Sequence, residues 1–579
     1  MRWRDLKAGE LRPEHVGRRL ALAGWAARRR DHGGLVFIDL RDEAGVAQLV
    51  INPERAPEAA ANAHGIRNEF VLRAKGEVVA RAPEAVNPSL PTGEVELQVD
   101  ELEILSTSPP LPFQLDEENV DETLRIRYRW LDLRRGKMQR NIRTRAQMVS
   151  VIRAEMEAAG FVDIETPVMG KPTPEGARDF LVPTRLKPGR FFNLPQSPQI
   201  YKQLLVISGF ERYYQIARCF RDEDLRADRL QELTQLDVEM AFPDQELLFE
   251  LIERTMQRVW RECLDAEVEV PFQRMSWDEA QGRYGSDKPD LRFGLDIEDA
   301  TKLTRASEFG VFANAPSVRF LRVPQAFSRA ELERLEAFAT EWGAKGLAYL
   351  VYDEEGEVRS PIAKFLSERE LERFRSDPSS TVLFGADQPE TVARVLGALR
   401  LHVGRELDLI DRDAWRFLWV TDFPLLAWDE EERRWTAVHH PFTRPTEDGV
   451  ALLESDPGAA RAVAYDLVVN GIEIAGGSFR IHEPALQERI FELLEISPEE
   501  QREKFGFLLD ALAMGAPPHG GIASGIDRLA MALLDEPYIR DTVAFPKNQA
   551  GVDPMTGAPT SVPAEALEEL GIRTLQQDA

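Results

Sequence analysis

The sequence predicts an α+β protein of several domains, and three observations predict it. At 579 residues the chain is too long for a single hydrophobic core. Its first hundred residues form short apolar runs separated by turn formers, which is β patterning. Beyond residue 140 the apolar spacing lengthens to that of helices, with strands between them.

Five strands are expected first: Leu20–Trp25, Leu35–Leu40 after Gly33-Gly34, Val46–Ile51 after Ala44-Gly45, Phe70–Val79 and Val95–Val99. Five strands with short turns fit a small barrel of the OB type, placed at residues 1–107. Ser106–Leu115 is rich in proline and serine, so 108–130 reads as a linker. A helix follows over Asn141–Ala159, with Ile142, Ala146, Val149, Ile152 and Met156 on one face and Gly160 as its stop. Phe161–Thr166 alternates as a strand and ends at Pro167. Strands and helices alternate to about Tyr284, giving a first half of one domain at 131–286. The turn formers Gly285–Asp290 open a different region, 287–411, which has its own strands and helices and reads as an insertion. The interrupted domain resumes at Trp415–Val420 and occupies 412–560. The remainder, 561–579, is weakly helical.

The net charge is −27, which in bulk argues against nucleic-acid binding. Local stripes argue otherwise: Arg28-Arg29-Arg30, and Arg125–Arg145, where Asp132 is the only acid. A charge run without other signals is first read as a solvated surface. Only Cys219 and Cys263 are present, which excludes a disulfide scaffold or an all-cysteine zinc site and fits a reducing cytoplasm. Met1–Lys7 lacks a signal-peptide core, and no apolar run is long enough to span a bilayer, so no membrane role is expected.

Neither a phosphate-binding Gly-x-x-x-x-Gly-Lys loop nor a strand leading into Gly-x-Gly-x-x-Gly occurs. Arginines are the alternative phosphate holders. Tyr213–Phe220 and Thr234–Met240 read as a hairpin with Arg221-Asp222-Glu223 at its base. Far along the chain, the glycine-rich strand Gly520–Gly525 opens into a helix beginning Ile526-Asp527-Arg528.

Taken in order, Pro167, Phe220–Glu223 and Gly521–Arg528 resemble motifs 1, 2 and 3 of class II aminoacyl-tRNA synthetases. Thr173–Phe180, Gln196–Gln203, His439–Phe442 and Gly476–Arg480 resemble the bacterial aspartyl-tRNA synthetases, over nearly the whole chain and including the insertion. The resemblance implies an antiparallel catalytic sheet flanked by helices, a homodimer, and ATP-dependent joining of L-aspartate to tRNA(Asp). Arg221 would grip the α-phosphate, and Arg528 the γ-phosphate. Asp222, Glu223, Glu473, Gly525, Ile526 and Asp527 would complete the ATP site. Asp466 and Glu473 would hold Mg²⁺, which suits hard oxygen donors. Glu175, Gln199, Lys202, Arg221, His439 and Arg480 would bind aspartate, with His440 a further candidate. Lys202 and Arg480 would reject asparagine, whose amide leaves two cations unneutralised. The family's glutamine after motif 2 is Leu230 here, so Gln231 takes over that ATP contact or the contact is absent.

The resemblance also assigns the barrel to the anticodon, with Phe37 stacking, Gln48 reading a base edge, and Arg28 and Arg30 on RNA. His32 stands where strict members often carry leucine, and relaxed members that also charge tRNA(Asn) often carry histidine. A relaxed enzyme is therefore expected, with a tRNA-dependent amidotransferase as a possible partner. The alternatives are a strict tRNA(Asp) enzyme, an asparaginyl or lysyl ligase, and a non-catalytic RNA-binding relative.

Overall fold

The structure is a computed structural model that describes residues 3–172 and 176–575. Its contacts divide into two compact units, Met1–Val120 and Asp121–Ala579.

The first unit is a closed barrel of β1 (Arg19–His32), β2 (Leu35–Asp42), β3 (Gly45–Ile51), β4 (Val71–Ala80) and β5 (Val95–Ser106), in the order β1-β2-β3-β5-β4. Alternation explains it. Val36, Ile38 and Leu40 of β2 point into the core, while Phe37 and Asp39 point out and are half-buried. A short helix, Pro57–His64, was not expected from the sequence, and its Ala59, Ala60 and Ala63 pack into the barrel core.

The second unit begins within the stretch expected to be a linker. Asp121 caps the helix Glu122–Arg127, and Arg129–Asp132 follows. The linker reading of 108–130 is thus too long. The arginine stripe explains why. Arg125 pairs with Asp132 at 2.9 Å and Asp541 at 2.7 Å. Buried Arg129 donates to the carbonyls of Arg540, Val543 and Ala544. These cations hold the fold together and are not a free basic surface.

The large sheet is built from β6 (Val162–Asp163), a long hairpin of β9 (Arg212–Phe220) and β10 (Glu232–Ala241), β11 (Gln273–Ser276), β17 (Phe417–Thr421), β20 (Ala464–Val469), β21 (Ile472–Phe479) and β22 (His519–Gly525). A separate small hairpin, β7 (Leu181–Pro183) with β8 (Phe191–Asn193), comes between β6 and β9 along the chain. Another, β18 (Leu426–Asp429) with β19 (Arg434–Ala437), follows β17. The order is β11-β17-β20-β21-β22-β10-β9-β6. Its six central strands are antiparallel, as expected, but both outer pairs, β11–β17 and β6–β9, are parallel. The sheet is therefore mixed. One face packs on the helices Gly136–Ala158 and Gln245–Leu264.

The insertion leaves after β11 and returns at β17, which is its sheet neighbour. Within it, β12 (Glu298–Asp299), β13 (Ser317–Val323), β14 (Ala348–Tyr352), β15 (Val358–Arg359) and β16 (Ser380–Asp387) make a separate sheet with its own core.

Candidate active site

Strand alternation on β10 builds the floor of the site. Leu236, Val238 and Met240 enter the core, so Gln235, Asp237 and Glu239 share the opposite face. Two cations meet those carboxylates. Lys202, on the helix Gln199–Ile207, lies 2.9 Å from Asp237 and 3.4 Å from Glu239. Arg480, just past β21, makes a two-pronged contact with Glu239 at 2.9 and 3.0 Å. All four side chains are at most 3% exposed. Burial raises the Glu239 pKa, but Arg480 and Lys202 outweigh it and hold the carboxylate below its usual range. Gly521 makes room for this cluster, because a Cβ there would sit 2.4 Å from a Glu239 oxygen.

Lys202 and Arg480, expected to bind aspartate, are therefore already paired with protein carboxylates, which were not expected from the sequence. What the cavity does offer is unpaired polarity. It holds about 540 Å³ and is lined by these residues together with Ser197, Gln199, Arg221, His439 and His440. Among the described residues, Gln199 Nε2, Arg221 Nε, Asp237 Oδ2 and His439 Nε2 are buried with no hydrogen-bond partner. Buried polar atoms are rarely left so, and four around one cavity mark a place for a polar ligand. Burial, then Arg480, lowers the His439 pKa to about 4, and the same two causes hold His440 well below its ordinary value. Both rings are neutral near pH 7. His440 Nε2 accepts from Arg480, which ties it to the cluster.

Beyond this pocket the cavity turns acidic. Asp228, Asp287, Asp466 and Glu473 line it with Arg528, which donates to the Glu473 carbonyl at 3.2 Å and lies 3.6 Å from Asp228. Burial, then Glu473 and Asp287, pushes the Asp466 pKa well up. Such a cluster calls for a cation. Among the described residues no group of three His, Cys, Asp or Glu could hold a metal. The pair Asp466 and Glu473 could still contribute the one or two carboxylates that an ion such as Mg²⁺ takes, with water and phosphate oxygens filling its shell.

Other expected residues fall elsewhere. Asp222 is exposed and does not line the cavity; its backbone bridges to Arg178. Glu223 lines the cavity but pairs with Arg229 at 3.0 Å. The Ile526 side chain is in the core. Asp527 borders the cavity, yet one carboxylate oxygen takes Arg145 and the other accepts the Thr234 N–H at 2.7 Å. Asp527 thus ties three elements together. Gly525 lines the cavity. So does Leu230, whereas Gln231 is not among the lining residues and its amide faces Gly551. Glu175 lies outside the described residues. Asp237, Glu239 and Asp287 were not expected, although polar residues alternating with apolar ones on a central strand signal the first two.

On the barrel, Arg30, Phe37, Asp39 and Gln48 share one outer face: Arg30 pairs with Phe37 in register, and Asp39 with Gln48. Phe37 is outside the core. Arg30 contacts Asp39 at 2.8 Å, and the Gln48 amide donates to Glu96 at 2.8 Å. Arg28 and His32 are exposed, His32 beside a turn whose Gly33 and Gly34 both have positive φ.

Residues 121–549 match the family described as tRNA synthetases class II (D, K and N), and 20–105 match the OB-fold nucleic acid binding domain. The chain is 50% identical to a protein of Caldanaerobacter subterraneus subsp. tengcongensis named aspartate–tRNA(Asp/Asn) ligase, over 98% of this chain and 97% of that one. It is 51% identical to the Moorella thermoacetica protein of the same name, over 98% and 96%. Among solved structures, asparaginyl-tRNA synthetase of Pyrococcus horikoshii with asparaginyl-adenylate matches at TM-score 0.61 and 18% identity, covering 94% of this chain and 99% of that one.

Proposed function

Because the chain belongs to the class II tRNA synthetases of the D, K and N group, we propose that it is an ATP-dependent aspartate–tRNA ligase that charges both tRNA(Asp) and tRNA(Asn). The carrying observation is the cavity that joins a neutralised four-charge pocket to an acidic, arginine-bearing end. The names of the relatives at about 50% identity support both parts of the reading.

Aspartate is held in the pocket. Its side-chain carboxylate shares Lys202 and Arg480 with Asp237 and Glu239. The unpartnered Asp237 Oδ2 accepts from the substrate ammonium, alongside the Glu175 that the resemblance suggests. Lys202 and Arg480 balance Asp237 and Glu239, and Arg221 adds one positive charge near the α-carboxylate. With Glu175 set against Arg221 the protein's own charges cancel, so discrimination lies in the donors: a carboxylate accepts from both Lys202 and Arg480, whereas the asparagine amide turns N–H groups toward one of them. Selectivity thus comes from donors held in place by Asp237 and Glu239 and not from two bare cations. Neutral His439 and Gln199 donate or accept without adding charge.

The α-carboxylate attacks the ATP α-phosphorus, pyrophosphate leaves, and a terminal tRNA hydroxyl then attacks the aspartyl carbonyl. Arg221, with its free Nε, faces the charge that develops on phosphorus. Arg528 serves the far phosphates, and Glu223 the adenine. When bound at Asp466 and Glu473, Mg²⁺ neutralises phosphate charge that the acidic end would otherwise repel. The protein's own contribution is chiefly alignment.

The barrel face of Arg30, Phe37 and Gln48, with Arg28 and His32, reads the anticodon. Exposed Val162, Val168 and Met169 at the sheet edge fit a homodimer contact. A cytoplasmic location and service to a tRNA-dependent amidotransferase complete the reading. Pyrophosphate exchange with aspartate but not asparagine, and charging of both purified tRNAs, are the expected results. Exchange driven by asparagine alone would sink the assignment.

A further inference from the structure

The segment 285–295, which leads into the inserted domain, touches the site twice. Asp287 lines the cavity beside Asp466, Glu473 and Arg528. Three residues on, Asp290 seats against Gly471, where an added Cβ would lie 3.2 Å from the Asp290 Cβ. Gly471, at φ +81°, belongs to the turn joining β20 to β21, the strands that carry Asp466 and Glu473.

The inserted domain holds that segment in place. Arg400, on its helix Pro389–Glu406, is 1% exposed. It donates to the carbonyls of Asp290 at 3.0 Å, Phe293 at 2.8 Å, Gly294 at 2.8 Å and Leu295 at 3.1 Å. Its guanidinium lies 4.0 Å from the Phe293 ring centre and 4.8 Å from that of Tyr284. Helix and segment also meet backbone to backbone: a Cβ on Gly285 would be 2.1 Å from the Ala393 carbonyl oxygen. Burial lowers the Arg400 pKa to about 10, so the cation is costly to place here. An apolar residue would fill the space. The rigid fork of an arginine also fixes four carbonyls of this irregular segment, its Nε donating to Leu295 while the two N–H groups of Nη2 are shared among Asp290, Phe293 and Gly294.

We propose that the inserted domain tunes the divalent-cation affinity of the ATP site: Asp287 accepts hydrogen bonds from water on the ion held by Asp466 and Glu473, and Arg400 is its positioning residue. This rests on the ATP reading above. An outer role suits Asp287, because it lines the same cavity as Asp466 and Glu473 and Mg²⁺ keeps several of its waters. Groups that orient metal-bound water change affinity without touching the metal.

The test uses the full-length enzyme. ATP binding is followed by calorimetry over a series of Mg²⁺ concentrations, without aspartate or tRNA, and pyrophosphate exchange is followed in parallel. Asp287→Asn is expected to raise the Mg²⁺ needed for half-saturation about tenfold, with the KM for aspartate unchanged. Arg400→Lys should lower the melting temperature, since it leaves buried carbonyls unpaired, and should shift the Mg²⁺ dependence of the folded enzyme the same way. If that variant does not fold, Phe293→Leu, which loosens the same clamp from a half-buried position, is read in its place. A Mg²⁺ curve for Asp287→Asn that superimposes on wild type overturns the role of Asp287. A shift with Asp287→Asn but none with a folded clamp variant overturns the role of the insertion. Wild-type enzyme that binds no ATP at any Mg²⁺ concentration would instead overturn the ATP reading itself.

Discussion

At the scale of single residues, the pocket is a closed electrostatic set, so its members are coupled. Lys202 is 1% exposed and faces two carboxylates that are fully buried. Lys202→Met leaves those carboxylates short of a cation and should cost about 3–5 kcal/mol of stability. Lys202→Met with Asp237→Asn should recover part of that loss in urea unfolding. A double variant no more stable than the single one would refute the coupling. The histidines set an acid limit. His439 has a folded pKa of about 4, below the 6.5 of a solvated ring, and His440 is held well below 6.5 too. Between those values the unfolded chain binds more protons than the folded one, so stability rises with pH across that window. It is complete above pH 6.5 and lost as the pH falls toward 4, by about 3 kcal/mol for His439 alone. Melting temperatures measured from pH 7 to pH 4 should show this decline. His439→Gln should flatten it, and an unaltered slope would contradict the assignment.

At the scale of elements, Asp527 separates two readings of motif 3. Its carboxylate joins Arg145 of the helix Gly136–Ala158 to the backbone of β10. Asp527→Asn should therefore cost about 2–4 kcal/mol while leaving the KM for ATP of the folded enzyme close to wild type. A raised KM at an unchanged melting temperature would make Asp527 a ligand contact after all. What the sequence revealed follows the range of the interactions. The β9–β10 hairpin and the glycine strand running into Ile526 were legible because they are local and strongly patterned. The parallel pairing of β11 with β17 was not, since the whole insertion lies between them. The helix Pro57–His64 was hidden by its composition: alanines bury it without a large apolar repeat. Lys202 and Arg480 were legible by resemblance, but their neutralisation by Asp237 and Glu239 required knowing that β10 turns those carboxylates toward them.

At the scale of the whole molecule, the proposed function puts chemistry and tRNA choice in separate compact units, so they should be separable by mutation. The barrel has its own core of Leu22, Ile38, Leu49, Leu72 and Leu97, and its outer face carries Arg30, Phe37 and Gln48. His32 is exposed at the rim of that face, pairs in register with Leu35, and leads into the Gly33-Gly34 turn. Its ring can donate through one nitrogen and accept through the other, so it can meet either of two base edges. Leucine can do neither. His32→Leu leaves the turn glycines and the barrel core intact, and the barrel's stability should stay within about 0.5 kcal/mol of wild type. One base-edge contact is worth about 1–3 kcal/mol of discrimination, so kcat/KM for tRNA(Asn) should fall about tenfold or more. Aspartate activation, measured by pyrophosphate exchange without tRNA, should not change, because the pocket is built entirely from the other unit. Charging of tRNA(Asp) should fall less than charging of tRNA(Asn). Equal losses on the two tRNAs would make His32 a general RNA contact. No loss on either would move the discrimination to another residue of the same face.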